Sequence, residues 1–374
     1  MIVLVTGASG FLGRAVATEL VAAGHEVRTL QRRPSGVAGV TDFLGSITDP
    51  DHVARAMASA EGVIHLAAKV SLAGDPHAFH TVNVEGTRLV LSAAEAAGVS
   101  RFVQVSSPSV AHSGSALAGV GAEPASPEHA RSEYARTKAK AELLALASDS
   151  ATMRVVVVRP HLVWGPGDTQ LVGRIVDRAR SGRLPLLNGG TALIDTTYID
   201  NAASGIVAAL HRAEVAHGKA YVLTNGEPRP VGDILAGICI ASGVQPPRWS
   251  IPAGIGRTAG SLVERVWAVR PGADEPPMTR FLAEQLSTAH WFDQRDIRQA
   301  LDWSPAVSID EGLRRLAASS MSGVRSGNEP LGSQEDNVMA DKSPKKATAK
   351  TVASKSLKEK RADKKDKAAS KRKG

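Results

Sequence analysis

A tyrosine and a lysine four residues apart could carry out proton chemistry in this chain. Tyr134 and Lys138 lie in the stretch YARTK, and a spacing of four residues places two side chains on one face of a helix. A free tyrosine ionises near pH ~10, and an adjacent cation lowers that pKa. The pair therefore describes a phenol that could give or take a proton near neutral pH. A solvated helix face is the alternative interpretation, because the same spacing also arises by chance.

Two adjacent serines lie upstream of the tyrosine. Ser106 and Ser107 follow an apolar run at residues 101–105, which is typical of a buried strand. In open parallel sheets, ligands bind beyond the carboxyl ends of the strands. One hydroxyl here could therefore reach a substrate carbonyl, although serine-rich turns are also common after strands.

A glycine-rich turn near the N-terminus gives this chemistry a context. The apolar residues 2–5 precede TGASGFLG at residues 6–13, and an amphipathic stretch follows at residues 14–23. In such a strand–turn–helix unit, Gly7 allows a tight turn, Gly10 lets the backbone approach a pyrophosphate and Gly13 permits close helix packing. The helix N-terminus also favours the anion. The pattern predicts a dinucleotide site, with a flexible loop as the alternative.

The end of the second predicted strand indicates which dinucleotide is bound. Residues 25–30 lead into Gln31, Arg32 and Arg33, and no acid appears until Asp42. An NAD-selective site usually places an acid here to hold the ribose hydroxyls. Two arginines instead suit a 2′-phosphate, so we predict NADP(H) rather than NAD. A solvated basic loop is the competing interpretation.

The elements that must position these residues alternate between strands and helices. Apolar strand patterns at residues 40–44, 62–67, 101–105 and 153–158 are separated by helical patterns at residues 51–58 and 79–97. This alternation predicts an α/β fold with a Rossmann-type, doubly wound parallel sheet. We expect an NADP-binding domain at residues 1–160 that carries the Ser, Tyr and Lys. A smaller α/β substrate lobe should span residues 161–320, with parts returning to the first domain.

The second half contains a strongly apolar segment. Trp249, Ile251, Ile255, Leu262, Val266 and Trp267 recur with an imperfect helical period, among Arg257, Arg265 and Arg270. Core packing is the first interpretation. The alternatives are an apolar lid over a lipid-like substrate and a helix that contacts a membrane surface.

Charge is distributed unevenly along the chain. Lys and Arg total 45 against 37 acids, but residues 331–374 hold 14 basic and 6 acidic side chains, so the tail carries the whole net charge of +8. We expect residues 321–374 to form a disordered, Lys-rich tail. Any attraction to polyanions should be weak and confined to this tail, without specific binding of nucleic acid.

Other functional classes are disfavoured by composition. The single cysteine, Cys239, excludes internal disulfides. The chain starts on a strand-like run without a basic leader and contains no apolar run of membrane-spanning length, so we expect a cytoplasmic protein. His65 has no Cys, His or acid at ligand spacing, which predicts a core histidine beside the cofactor cleft and no metal site.

Taken together, the loop at residues 6–13, Ser107, Tyr134 and Lys138 resemble the extended short-chain dehydrogenase/reductases over residues 1–318. The resemblance implies that Ser107, rather than Ser106, shares the substrate oxygen with Tyr134. It also implies that Lys138 lowers the tyrosine pKa and holds the nicotinamide ribose. The cofactor contacts that it implies, besides Tyr134 and Lys138, are Gly7, Ser9, Gly10, Phe11, Leu12, Gly13, Arg32, Arg33, Ala67, Ala68 and Pro160. The chain departs from the family at Gly45, Ser46 and Ile47, where many members carry an acid near the adenine.

Motifs in the second half narrow the resemblance. RPHLVWGPGD at residues 159–168, NGEP at 225–228 and MTRF at 278–281 are similar to the 3β-hydroxysteroid dehydrogenase branch. SPSV at 107–110, DTTYIDNAA at 195–203, TRFLAEQL at 279–286 and HW at 290–291 are similar to the 2-alkyl-3-oxoalkanoate reductases of bacterial long-chain olefin biosynthesis. That family uses NADPH, which agrees with the arginines after the second strand.

The resemblance implies a specific reaction. We expect reduction of the 3-keto group of a long-chain 2-alkyl-3-oxo acid, with a lipid-like substrate and with olefin-pathway enzymes and a second copy of the chain as candidate partners. The substrate carboxylate needs a cation or an amide, and Arg131, Arg136, His112 and Arg159 are the candidates. The alternative hypotheses are a 3β-hydroxysteroid dehydrogenase, a sugar-nucleotide epimerase or reductase, and a non-catalytic NADP-binding protein. The apolar second half disfavours a sugar nucleotide.

Overall fold

Seven parallel strands form the central sheet of the computed structural model, which describes residues 1–71, 74–112, 114–256, 258, 260, 263, 284 and 286–326. In chain order these strands are β1 (Ile2–Thr6), β2 (Glu26–Gln31), β3 (Val40–Leu44), β4 (Gly62–His65), β5 (Arg101–Val105), β7 (Arg154–Pro160) and β12 (Lys219–Leu223). Their spatial order is β12-β7-β5-β4-β1-β2-β3. The order reverses between β1 and β4, which is where a doubly wound sheet opens a ligand crevice at its carboxyl edge.

Helices cover both faces of the sheet, as the alternating pattern predicts. On one face, α1 (Phe11–Ala22) and α7 (Ile199–His211) bury apolar side chains against the strands. On the other face, α2 (Pro50–Met57), α4 (Gly86–Ala96) and α5 (Glu133–Ala147) do the same. The Rossmann-like fold class is thereby confirmed.

The predicted helix at residues 79–97 is interrupted. It consists of α3 (Pro76–His80), a π-helical turn (Thr81–Glu85) and α4. Asn83 lies inside the turn, where its side chain accepts a hydrogen bond from the Lys69 amide and donates to the Lys69 carbonyl. The wider turn thus presents a side chain to a neighbouring loop, a contact that hydrophobic periodicity does not reveal.

The remaining elements build a smaller region beside the carboxyl edge. A four-stranded sheet has the order β13 (Arg229–Pro230), β10 (Leu193–Ile194), β15 (His290–Phe292) and β6 (Leu117–Val120). Two short pairs join β11 (Thr197–Tyr198) to β8 (Val163–Trp164) and β14 (Ser250–Ile251) to β9 (Leu186–Leu187). The helices here are α6 (Leu171–Arg180), α9 (Val231–Ala241) and α11 (Ile309–Ser326), whereas α8 (Ala213–Ala216) and α10 (Arg295–Leu301) pack in the core of the central sheet.

Part of the sequence-based reading concerns residues that the structure does not describe. Leu262, Val266, Trp267, Arg257, Arg265, Arg270 and most of the motif at residues 278–286 lie outside the described residues. The helix α11 continues to Ser326, beyond the predicted start of the tail, and the rest of the tail is also outside them. The division of the first 320 residues into two domains stays a prediction. Among the helices that are described, none has both the length and the apolar character needed to cross a bilayer.

Candidate active site

The helix α5 presents Tyr134 and Lys138 to the crevice. Ser132 is its N-cap and accepts a hydrogen bond from the Ala135 amide at 3.1 Å, which satisfies one of the free amides of the first turn. Tyr134 is half-buried, and Lys138, four residues later, is buried. The predicted helix therefore exists, and its inward face carries both residues.

Tyr134 meets Ser107 at the carboxyl end of β5. Ser107 lies close enough to Tyr134 to lower the pKa of the phenol, and its hydroxyl is 2.9 Å from the Ser109 hydroxyl. Burial raises the pKa of Tyr134 to about 12, and Ser107 opposes this rise only in part. The lowering of the tyrosine pKa that the resemblance implies is not seen in the protein alone, because desolvation is the largest contribution and raises this pKa. The phenol keeps its proton at neutral pH.

Lys138 places a buried ammonium one helical turn after Tyr134. Its Nζ donates a 2.6 Å hydrogen bond to the Val105 carbonyl at the end of β5. Burial lowers the pKa of Lys138 to about 8, although the Glu142 carboxylate one turn further along α5 raises it. The ammonium is thus held at a fixed place by the sheet, and it is close to its titration range.

The second serine has a different partner. Ser106 donates a 2.6 Å hydrogen bond to Glu142 Oε2. Arg159, from β7, donates to the same carboxylate through Nε at 3.0 Å and through Nη2, and it donates to the Glu123 carbonyl through Nη1 at 2.7 Å. Both charged residues of this pair are buried. Sequence reasoning missed Glu142, although an acid one turn after the lysine on its buried face was a usable signal.

These contacts change the set of candidates for a substrate carboxylate. Arg159 is excluded because its guanidinium is buried against Glu142. Arg136 pairs with Glu133 on the same helix. His112 is buried with its ring against His290, at a centroid distance of 4.8 Å, and burial lowers its pKa. Arg131 pairs with Glu284 and remains partly exposed.

The glycine turn fits a dinucleotide pyrophosphate. Gly7 has φ +80°, and a Cβ there would lie 2.9 Å from the backbone of Ala67, while one at Gly13 would lie 2.3 Å from the Gly7 carbonyl oxygen. Gly10 is the N-cap of α1 and offers no side-chain cap, so the helix amides stay open to an anion. Ser9, Phe11 and Leu12 are half-buried around this turn.

The end of β2 places two cations beside the same crevice edge. Arg32 and Arg33 are exposed. Gln31 is buried and donates at 2.9 Å to Asp42 on the neighbouring strand β3. The Asp42 carboxylate also accepts from Thr29 and from the Ser35 amide. Burial would raise the pKa of Asp42, but these hydrogen bonds lower it. The sequence did not show that Asp42, the first acid after β2, accepts hydrogen bonds from Thr29 and Gln31 of β2.

His65 and its neighbours stabilise the crevice floor. The Thr6 hydroxyl is 2.7 Å from His65 Nδ1 and accepts from the Ala67 amide, while His65 Nε2 is 3.0 Å from Thr87. Thr87 donates its own proton to the Asn83 carbonyl, so the histidine must donate from Nε2 and accept at Nδ1. Burial, together with Lys138, lowers the pKa of His65 to about 3. It is a neutral packing residue.

The sequence-predicted residues therefore come together along one edge. Gly7 follows β1, Arg32 and Arg33 follow β2, Ala67 and Ala68 follow β4, Ser107 follows β5, and Pro160 ends β7. Asn83 Nδ2 links this edge to α5 by donating to the Thr137 hydroxyl at 3.0 Å. The arrangement offers an anion cradle beside a protonated phenol and a buried ammonium.

Comparisons with known proteins agree with this geometry. Residues 3–224 match the model of the NAD dependent epimerase/dehydratase family. A 2-alkyl-3-oxoalkanoate reductase from Stenotrophomonas maltophilia is 42% identical over 86% of this chain and 99% of its own length. A 3-beta-hydroxysteroid dehydrogenase from Mycolicibacterium neoaurum is 30% identical over 83% of this chain and 89% of its own.

A solved structure shows the same architecture. The UDP-glucose 4-epimerase of Thermus thermophilus in complex with NAD superposes with a TM-score of 0.61 at 25% identity, covering 86% of this chain and 99% of that one. The fold, the family model and the relatives all indicate the same family. The chain belongs to the NAD dependent epimerase/dehydratase family, that is, to the extended short-chain dehydrogenase/reductases, and it is an NAD(P)-dependent oxidoreductase.

Proposed function

We propose that this protein uses NADPH to reduce the 3-oxo group of a long-chain 2-alkyl-3-oxoalkanoate to the 3-hydroxy acid. The observation that carries the proposal is the protonated Tyr134 phenol, which lies beside Ser107 at the carboxyl end of β5. The substrate class is supported by the 42% identical relative of that name. The sequence motifs at residues 107–110, 195–203 and 279–286 support a place for the reaction in long-chain olefin biosynthesis.

Ser107 and Tyr134 would bind the oxo oxygen together. As that oxygen gains negative charge, Tyr134 donates its proton to it, while Ser107 stabilises the charge by a hydrogen bond. The raised tyrosine pKa keeps the proton in place until it is needed. Lys138, held by the Val105 carbonyl, adds a positive potential on the same helix face. This assignment suits reduction, which needs a proton donor.

The cofactor would lie along the strand ends. When bound, NADPH supplies the hydride for the oxo carbon. The backbone at Gly7, Gly10 and Gly13 and the open N-terminus of α1 would hold the pyrophosphate. Arg32 and Arg33 would bind the 2′-phosphate, because both are exposed at the end of β2.

A spectrophotometric assay tests both the substrate class and the cofactor preference. Nicotinamide oxidation should be faster with a 2-alkyl-3-oxo acid than with a 3-oxosteroid or a nucleotide sugar, and faster with NADPH than with NADH at equal concentration. Changing Tyr134 to Phe should lower kcat by about 10²- to 10⁴-fold, because it removes the proton donor, while NADPH still binds.

Two results would contradict the proposal. Full activity of the Tyr134→Phe variant would remove the tyrosine from the mechanism. Preference for the steroid would favour the second candidate, a 3β-hydroxysteroid dehydrogenase-like activity, which the 30% identical relative supports. A preference for NADH would overturn the assignment of Arg32 and Arg33 alone.

A further inference from the structure

Arg131 is a partly exposed cation at the start of α5. It directly precedes Ser132, the N-cap of α5, and lies three residues before Tyr134. Its side chain is 32% exposed, whereas that of its partner Glu284 is 5% exposed. The carboxylate is therefore the enclosed member of this pair, and the guanidinium is the accessible one.

The ion pair occupies one edge of the guanidinium. Nε donates to Glu284 Oε2 at 3.3 Å, and Nη2 donates to Oε1 at 2.8 Å. An arginine carries five N–H donors in a rigid fork. Within the described part of the chain, Nη1 has no hydrogen-bond partner. A second edge thus remains for another planar anion, and a carboxylate matches this geometry.

The loop after β5 packs against this guanidinium. Gly114 has φ +101°, and a Cβ built there would lie 3.5 Å from Arg131 Cζ. His112, two residues earlier, has a pKa lowered by burial; Glu284 opposes this and Arg131 adds to it. The histidine is therefore neutral at neutral pH. Arg159 is buried on Glu142, and Arg136 lies two residues after Tyr134 and therefore on another face of α5, so Arg131 is the candidate cation that can meet a ligand beside the phenol.

We propose that Arg131 binds the substrate carboxylate through its Nη1 edge, and that Glu284 is a positioning residue which holds the guanidinium in place. The inference rests on the proposed function. In a 3-oxo acid, one carbon separates the carboxylate from the oxo carbon, so its receptor must lie beside the phenol that meets the oxo oxygen. Arg131 is separated from Tyr134 only by the start of α5. The site accordingly selects free acids over neutral esters.

The test compares a 2-alkyl-3-oxo acid with its methyl ester. Arg131→Met should raise the KM for the acid by about 10- to 100-fold, as expected for losing hydrogen bonds to a charged group. The KM for the ester should stay within about twofold, because no charged contact is lost. Glu284→Gln should raise the acid KM by a smaller factor, roughly three- to tenfold, since a neutral amide anchors the guanidinium less firmly. Arg131→Lys should retain part of the preference.

Arg136→Met is the matched control, because this arginine pairs with Glu133 on the same helix; it should leave the acid preference unchanged. NADPH binding verifies that each variant is folded. An equal loss with acid and ester in Arg131→Met would overturn the assignment, and a lower acid KM in Glu284→Gln would overturn the positioning role. A wild-type enzyme that reduces both substrates without preference contradicts only this inference, whereas one that reduces neither contradicts the proposed function.

Discussion

Burial shifts the pKa values of the two ionisable side chains Tyr134 and Lys138 in opposite directions. Desolvation makes Tyr134 a weaker acid and brings Lys138 closer to losing its charge. The usual picture of a lysine that lowers a tyrosine pKa considers only the charge between them. In this crevice burial makes the largest contribution to the pKa of each group.

The Lys138 pKa near 8 predicts a pH dependence. A lysine is charged below its pKa, so kcat/KM for reduction should be level below about pH 8 and fall at higher pH as the ammonium is lost. Tyr134, with a pKa near 12, stays protonated over this range and cannot cause the break. Initial rates at saturating NADPH between pH 6 and about 10 measure it.

Lys140 supplies the control for this profile. It is exposed two residues further along α5, so Lys140→Met should leave the break in place. Activity that stays constant to about pH 10 would show that the Lys138 charge has no role in the rate.

At the scale of the element, a buried ion pair ties α5 to β7. Glu142 on α5 accepts hydrogen bonds from both Ser106 and Arg159, so the end of β5, the helix α5 and the neighbouring strand β7 share one carboxylate. This contact sets the depth of α5 on the sheet, and with it the position of Tyr134 against Ser107.

Breaking this pair should be costly. Glu142→Gln leaves the Arg159 guanidinium buried without a counter-charge, so the free energy of unfolding should fall by about 3–5 kcal/mol. Replacing both partners, by Glu142→Leu with Arg159→Met, should recover much of that loss, because no isolated charge remains. Urea denaturation followed by circular dichroism measures both.

The pair of Glu133 and Arg136 is the matched comparison on the same helix. Both side chains are partly exposed, so Glu133→Gln should change the free energy of unfolding by less than about 1 kcal/mol. A similar small change for Glu142→Gln would mean that water reaches the buried guanidinium.

At the scale of the whole molecule, net charge and active site belong to different parts of the chain. Residues before Leu331 hold equal numbers of basic and acidic side chains, and the tail holds the excess. All residues assigned to the crevice precede it. The high sequence pI of about 9.7 therefore gives no information about the substrate.

Truncation after Pro330 tests this separation. The shortened protein should lose retention on a cation exchanger at pH 7, because 14 basic and 6 acidic residues are removed, and kcat/KM should stay within about twofold of the full chain. The full chain on the same column is the reference. A large loss of activity would place part of the tail in the function of the crevice.

Local patterns in the sequence were sufficient to predict the central parallel sheet, but not the four-stranded sheet or the two short strand pairs. The sheet strands follow from short apolar runs, and the dinucleotide turn follows from glycine spacing, because side-chain periodicity and turn chemistry depend on neighbours in the chain. The spacing of Tyr134 and Lys138 similarly required only a helix. What periodicity could not show was the π-helical turn at Asn83, which a tertiary contact with Lys69 accompanies.

The tertiary structure decided which charges are available. Arg131 and Arg159 looked equivalent as candidates in the sequence, but Arg159 is buried on Glu142 and Arg131 meets Glu284, a residue 153 positions away. The rise in the Tyr134 pKa likewise comes from burial. Local spacing in the sequence identified the ionisable side chains. Ion pairing and desolvation depend on distances between segments that are remote in the chain, so the fold determined which of these side chains are charged and accessible.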